Sequence, residues 1–110
     1  MAYNNRFQVD PIRTIAFGGI TNVYANVGAA ITDPVRVFVL SNLTDVDVMF
    51  SLDGVNDHFI VPRNAFKLFD ITANKVRDDG FFLADGTVFY VRDPTATVTT
   101  GNVHVEVIHA

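Results

Sequence analysis

The sequence predicts an all-β fold: a single-domain antiparallel β-sandwich, jelly-roll-like, with about eight strands. A chain of 110 residues, 49% of them hydrophobic, has material for one compact core. Its ten phenylalanines and many valines favour strands, because aromatic and branched side chains fit a pleated, half-buried surface. Short segments that alternate apolar and polar residues recur between turn residues, which is typical of a sandwich.

The first eleven residues differ from the rest, since they are mostly polar and show no alternation. We predict an extended N-terminal arm over residues 1–11 and a sandwich domain over residues 12–110. The arm is either a frayed terminus or a segment that becomes ordered against a neighbouring subunit.

The strands follow from period-two alternation and from the turn residues between them. In residues 46–52, Val48 and Phe50 fall on the apolar face, and in residues 102–110 Val103, Val105 and Val107 do so, with His104, Glu106 and Ile108 facing outward. The predicted strands span residues 12–17, 20–25, 35–42, 46–52, 57–61, 65–72, 87–92 and 102–110.

The segment 35–42 is apolar on both faces, since Val35, Val37 and Val39 alternate with Arg36, Phe38 and Leu40. It is therefore either a central strand covered on both sides or a strand whose second face receives a partner.

Charge and composition exclude several classes of function. The net charge is −4 and the eight lysines and arginines form no basic run, so we expect no direct binding of nucleic acid. The absence of cysteine excludes disulfides and thiol catalysis and fits synthesis in a reducing cytoplasm. No apolar run is long enough to span a bilayer, so no membrane partner is expected.

The stretch SLDGVNDHF places Asp53, Asp57 and His58 within six residues, so it is either an ion or catalytic site or a tight turn. We interpret it as a hairpin loop, because Gly54 tolerates positive φ and aspartate bonds its own backbone. A calcium loop of the EF-hand type requires a glutamate near its end, and none follows here.

His104 and Glu106 lie two apart on one strand face, a spacing that suits paired metal ligands. A third ligand would have to come from elsewhere, so we interpret the pair as an exposed polar strand face. Neither serine lies in a glycine-flanked elbow, and no phosphate-binding glycine loop is present. We predict no enzymatic activity, no catalytic or metal-ligating residue and no cofactor; a glycan-binding module remains an alternative.

Two stretches, Leu40 to Lys75 and GFFLADGTVFYVRD at 80–93, resemble small virion structural proteins of tailed bacteriophages. The shared elements are a strand ending in a Ser-Leu-Asp-Gly turn, a DHF strand closed by proline, a DITANK segment and the GFFLADGTVFYVR hairpin. Within that group the size and character of the chain are most similar to a capsid decoration or cement protein.

The resemblance implies a non-enzymatic protein on the capsid surface of a virion, made in the host cytoplasm, that staples neighbouring major capsid proteins. It also implies a multi-copy assembly or homo-oligomer; a neck or tail component is the alternative within the class. The side chains that we expect to contact the partner are those of the arm, of the second face of strand 35–42 if that face is not covered, and of arginines in loops: Tyr3, Arg6, Phe7, Phe38, Leu40, Arg63 and Arg77.

Overall fold

The computed structural model of the protein describes residues 8–33, 35–70 and 86–109. These residues form nine strands and one 3-10 turn, Phe17–Gly19. The strands are β1 Gln8–Val9, β2 Arg13–Ala16, β3 Ala25–Asn26, β4 Val35–Thr44, β5 Val48–Ser51, β6 Phe59–Val61, β7 Ala65–Asp70, β8 Tyr90–Arg92 and β9 Gly101–His109.

The strands form two antiparallel sheets, so the predicted all-β sandwich is confirmed. In the first, sheet A, the order is β1, β9, β4 and β7, and β2 pairs with β9 on the same edge as β1. In the second, sheet B, the order is β3, β8, β5 and β6. Apart from the pairs β1–β2 and β5–β6, each of which stays in one sheet, successive strands cross between the sheets, as in a jelly roll.

The centre of sheet A is the pair of long strands β4 and β9, whose register runs from Val35 opposite His109 to Thr44 opposite Gly101. A bulge between Val35 and Val37 shifts the alternation by one residue. As a result Val35 shares the core face with Phe38 and Leu40, and the segment does not have the faces that simple alternation predicts.

The core lies between the sheets and is built by alternate residues of facing strands. Val103, Val105 and Val107 of β9 are fully buried, as are Val48 and Phe50 of β5, which confirms the faces predicted for both strands. An aromatic chain crosses the interior, with ring centroids 4.8 Å apart for Phe38 and Phe69 and 4.6 Å apart for Phe59 and Phe69. These contacts join β4 and β7 of sheet A to β6 of sheet B.

A polar corner fastens the two sheets where the chain leaves β4. The Asn42 amide donates to the carbonyls of Val46 and Val61 at 2.8 and 2.9 Å, and its oxygen accepts from the Thr44 N–H at 3.0 Å. The Thr44 hydroxyl, which has one proton to donate, lies within hydrogen-bond distance of both Asn42 Oδ1 and the Val46 carbonyl. Because both side chains are buried, these bonds satisfy polar groups that water does not reach.

The strand predicted over residues 20–25 is wrong for most of its length, since only Ala25 belongs to a strand, β3. The backbone groups in this segment form loop hydrogen bonds instead of strand pairs. The Ile20 N–H donates to the Phe17 carbonyl and closes the 3-10 turn, and the Asp93 N–H donates to the Thr21 carbonyl. The other predicted strands that fall within the described residues are present, several of them shorter.

Within the predicted arm, residues 1–7 lie outside the described residues. Its end is part of sheet A, because β1 pairs with β9 through Gln8 opposite His109 and Val9 opposite Ile108. Strand pairing thus begins inside the segment 1–11. Over the described part of the chain, no helix has the length and apolar character needed to cross a membrane.

Candidate functional site

The loop between β5 and β6, which contains Asp53, Asp57 and His58, is a hairpin loop as predicted. Asp53 Oδ1 accepts from the backbone N–H groups of Val55 and Asn56 at 2.8 and 2.9 Å and from the Ser51 hydroxyl at 2.8 Å. Gly54 has a φ of +77°, a conformation that glycine adopts without strain. The N–H donors hold the pKa of Asp53 far below its usual range, with the bonds from Asn56 and Val55 the largest causes. The carboxylate is therefore occupied in shaping the turn.

His58 belongs to the same loop and is held by its backbone. Its Nδ1 accepts from the Leu52 N–H at 3.0 Å, which leaves the proton of a neutral ring on Nε2, 3.9 Å from Asp53 Oδ2. Asp57, although adjacent in sequence, points to other partners. The three titratable groups therefore do not converge on one point.

Asp57 instead forms a surface cluster with Tyr24 and Arg92. Arg92 donates to it through Nε and Nη2 at 3.2 and 2.9 Å, the Tyr24 hydroxyl donates to the same carboxylate, and the guanidinium lies over the Tyr24 ring, 5.4 Å from its centroid. Burial, and then the bond to Asp57, raises the pKa of Tyr24 to about 12. Arg92 and Tyr24 lower the pKa of Asp57. The cluster joins loop residues to β8, and its three side chains form hydrogen bonds with one another.

His104 and Glu106 lie on the outer face of sheet A, as their spacing predicts. His104 Nδ1 shares a hydrogen bond of 2.9 Å with the Thr14 hydroxyl of β2, and Glu106 is exposed. No group of three His, Cys, Asp or Glu side chains with metal-binding geometry occurs among residues 8–33, 35–70 and 86–109.

A cleft of about 440 Å³ opens at one end of the sandwich, between residues 20–22 and 93–97. Asp93 lines it but is buried, and its Oδ2 accepts from the Val98 N–H at 3.4 Å. The remaining lining is largely threonine, alanine and proline, so the cleft offers no nucleophile with an adjacent base.

The most distinctive surface is the outer face of sheet A. On its β4–β7 side this face is apolar: Leu68 stands opposite Val39, and Phe66 stands opposite Ser41. Phe66 is 66% exposed, Leu68 58% and Leu43, at the end of β4, 53%. Monomeric proteins rarely leave neighbouring large apolar side chains uncovered on one sheet face, so this surface is a candidate interaction site.

The predicted contact residues are placed differently. Phe38 and Leu40 are 3% and 0% exposed, so the prediction that they face outward is wrong. The bulge in β4 turns them into the core and turns Val37 and Val39 outward. Arg63 is exposed in the turn between β6 and β7, where its N–H donates to Asp47 Oδ1 at 3.0 Å. Tyr3, Arg6, Phe7 and Arg77 lie outside the described residues.

The sequence reasoning did not include Phe66, Leu68 and Leu43 among the contact residues. The segment AFKLFD is apolar on both parities, like β4, and this two-sidedness was the available signal. It does not tell which parity is buried, because Phe66 and Phe69 are equally suited to a core.

Comparison with family models, with curated proteins and with solved structures finds no match to this chain. The jelly roll occurs in viral capsid proteins, lectins and cupins, so the topology does not identify the function, which has to be inferred from the surfaces of the protein.

Proposed function

We propose that this chain is a non-enzymatic structural protein of a phage virion, a capsid decoration protein that staples neighbouring major capsid proteins. The observation that carries the proposal is the apolar outer face of sheet A, where Leu43, Phe66 and Leu68 are each more than half exposed. An exposed apolar sheet face suits attachment to another protein surface better than recognition of a small molecule, which binds in a concave pocket.

The energetics favour a partner that is present in many copies. Full burial of one such side chain contributes about 1.5–3 kcal/mol, so covering what remains exposed of all three contributes roughly 3–5 kcal/mol. Association itself costs about 4–15 kcal/mol. The face alone therefore binds weakly, and retention on a shell needs further contacts or avidity. The further contacts that we propose are Tyr3, Arg6 and Phe7 of the predicted arm, together with Arg63 and Arg77.

The rest of the described surface supports a binding role. Asp53, Asp57 and Arg92 are engaged with partners inside the fold, so they organise loops and are not set up for acid–base catalysis. The resemblance of the sequence to small virion proteins agrees with an assembly function.

The proposal is tested by binding of the purified protein to empty heads of the phage that carries the gene. We expect the wild type to bind and a Phe66→Ser, Leu68→Ser double variant to bind at least about tenfold more weakly. Ile60→Ser is the matched control, since Ile60 is 44% exposed on the outer face of sheet B.

A wild-type protein that does not bind the heads would contradict the decoration role. If the double variant bound as tightly as the wild type, the role would stand but the outer face of sheet A would not be the contact.

A further inference from the structure

The cleft at one end of the sandwich, between residues 20–22 and 93–97, contains a buried carboxylate with a free oxygen. Asp93 is only 6% exposed, and its Oδ2 accepts from the Val98 N–H at 3.4 Å. No group of the described residues forms a hydrogen bond with Oδ1, and this oxygen keeps contact with solvent. Because Asp93 lines the cleft and is otherwise buried, a ligand reaches Oδ1 through the cleft.

The backbone holds this carboxylate in place. The Asp93 N–H donates to the Thr21 carbonyl at 2.8 Å, which ties the loop after β8 to the loop before β3. The bond from Val98, which is 5% exposed, closes the loop 93–98 on itself. Pro94 further restricts the backbone directly after Asp93. The oxygen is therefore positioned before a ligand arrives, which reduces the entropic cost of binding.

The charges at this end of the sandwich favour a cation. Asp93 is the only titratable residue in the lining of the cleft. A neighbouring depression of about 320 Å³ is lined in part by Asp45, Asp47 and Arg63. Arg63 is exposed, and no described cation forms an ion pair with Asp93. In the two linings taken together, carboxylates outnumber the single guanidinium, so a positively charged group is attracted.

The single free oxygen decides which cation fits. A guanidinium binds a carboxylate best through two parallel bonds to both oxygens, and Oδ2 of Asp93 is already engaged by Val98. Calcium takes about six to eight oxygen ligands, and the described residues contain no group of three acidic or histidine side chains arranged for a metal ion. A primary ammonium has three donors around one point charge, so it needs one charged oxygen and two neutral acceptors. Thr95 and Thr97, both exposed at the cleft, supply hydroxyl acceptors.

The cleft also has room for an alkyl chain. Ile20, Pro94 and Ala96 contribute apolar surface to its lining. Its volume of about 440 Å³ lies within the range of about 300–1,000 Å³ that is typical of small-molecule sites. A lysine side chain combines an apolar stem with an ammonium group, so its stem packs on the apolar lining while its head reaches the carboxylate.

We infer that the cleft receives the side chain of a lysine on a partner protein, with the ammonium group bound at Asp93 Oδ1. The ammonium chemistry follows from the cleft alone, whereas the assignment of the lysine to a capsid protein rests on the proposed function. The contact lies outside the apolar face of sheet A and adds an ion pair to it.

The first test needs no capsid. Nα-acetyl-lysine N-methylamide is titrated into the ¹⁵N-labelled wild type at pH 7, beside the norleucine derivative, which has a similar stem without the ammonium, and the arginine derivative. The lysine probe should shift the amide resonances of residues 95–98 and bind at least about tenfold more tightly than the norleucine probe and about threefold more tightly than the arginine probe.

Equal binding of the lysine and norleucine probes, or no saturable shift, would overturn the inference. Calcium chloride that displaces the lysine probe at a lower concentration than sodium chloride of equal ionic strength would also overturn it, because the cleft would then prefer a metal ion.

Variants locate the site. Asp93→Asn should remove the preference for the lysine probe, and the matched control Asp33→Asn, exposed in the loop between β3 and β4 and outside the cleft lining, should keep it. Because Asp93 is buried, a second variant avoids any dependence on its fold. Thr95→Val combined with Thr97→Val changes two exposed positions, and it should weaken the lysine probe about 2- to 5-fold but leave the norleucine probe unchanged. An unchanged lysine affinity in this variant would contradict the assigned acceptors.

Binding to empty phage heads tests the source of the lysine. Asp93→Asn should bind heads about 3- to 10-fold more weakly than Asp33→Asn. Equal binding of the two variants, to heads that bind the wild type, would overturn the capsid as the source. If the lysine probe binds but heads do not bind the wild type, the ammonium site stands and the proposed function fails.

Discussion

The buried polar corner around Asn42 gives the most quantitative prediction of the fold. Asn42 is completely buried; its amide donates to the Val46 and Val61 carbonyls, and its oxygen accepts from the Thr44 N–H, with the Thr44 hydroxyl also within hydrogen-bond distance. Asn42→Ala removes all of these bonds. The Val46 carbonyl keeps the Thr44 hydroxyl as a donor at 2.9 Å, so the main losses fall on the Val61 carbonyl and the Thr44 N–H.

Each buried group that loses its partner costs about 1–3 kcal/mol, so the loss of two should lower the free energy of unfolding of Asn42→Ala by about 2–6 kcal/mol. With a urea m-value of about 2 kcal/mol/M, in the range typical of small domains, the midpoint should fall by roughly 1–3 M without a change in m. Urea unfolding followed by circular dichroism measures this.

The matched control is Asn102→Ala, the same change at an exposed position of β9, which should cost less than about 0.5 kcal/mol. A loss below about 1 kcal/mol for Asn42→Ala, or one equal to that of the control, would refute the view that this corner fastens the two sheets.

Three further predictions concern a glycine and the surface cluster. Gly101→Ala should lower the free energy of unfolding, measured by urea titration, by more than about 2 kcal/mol, because Gly101 has a φ of +99° and an added Cβ would lie 2.0 Å from the Leu43 carbonyl oxygen. The control Gly18→Ala should be nearly neutral, since there is open space around Gly18. Ultraviolet titration should show the Tyr24 phenol ionising near its raised pKa of about 12, and Asp57→Asn should lower that pKa, since the bond to Asp57 helps to raise it. The pKa of Asp57 is lower in the folded state than in the unfolded state, so its contribution to stability is present above the unfolded pKa of about 3.9 and is lost as the pH falls through the folded pKa. Asp57→Asn should therefore lose less stability in acid than the wild type. An equal loss of stability in the two proteins would contradict this.

The sequence predicts the fold well where one face of a strand is clearly apolar. In β9 the valines alternate with His104 and Glu106, so burial of the other parity would place polar groups in the core. In β5 Val48 and Phe50 are buried as predicted, and Ser51, at the end of the strand, is buried as well. Both strands have the predicted faces.

Prediction fails where both parities are apolar. In β4 either set of residues could form the core, and the bulge between Val35 and Val37 decides between them through pairing with β9. Such a bulge depends on a partner strand about seventy residues away in sequence, so local alternation does not reveal it.

The candidate interaction surface could be predicted only in outline. The two apolar faces of segment 35–42 left open an uncovered sheet face, but the exposed apolar residues are Leu43, Phe66 and Leu68, none of which was among the predicted contact residues. Which residues form that face follows from strand order and register. Both are properties of long-range pairing and not of any short segment.

The proposed role is tested most directly by the copy number of the protein in virions. Mass spectrometry of purified particles, quantified against the major capsid protein and repeated on heads that lack tails, gives that number. A decoration protein should be present at a copy number comparable to that of the major capsid protein and should remain on tailless heads. A few copies that disappear with the tail, or no copies at all, would contradict the proposed function.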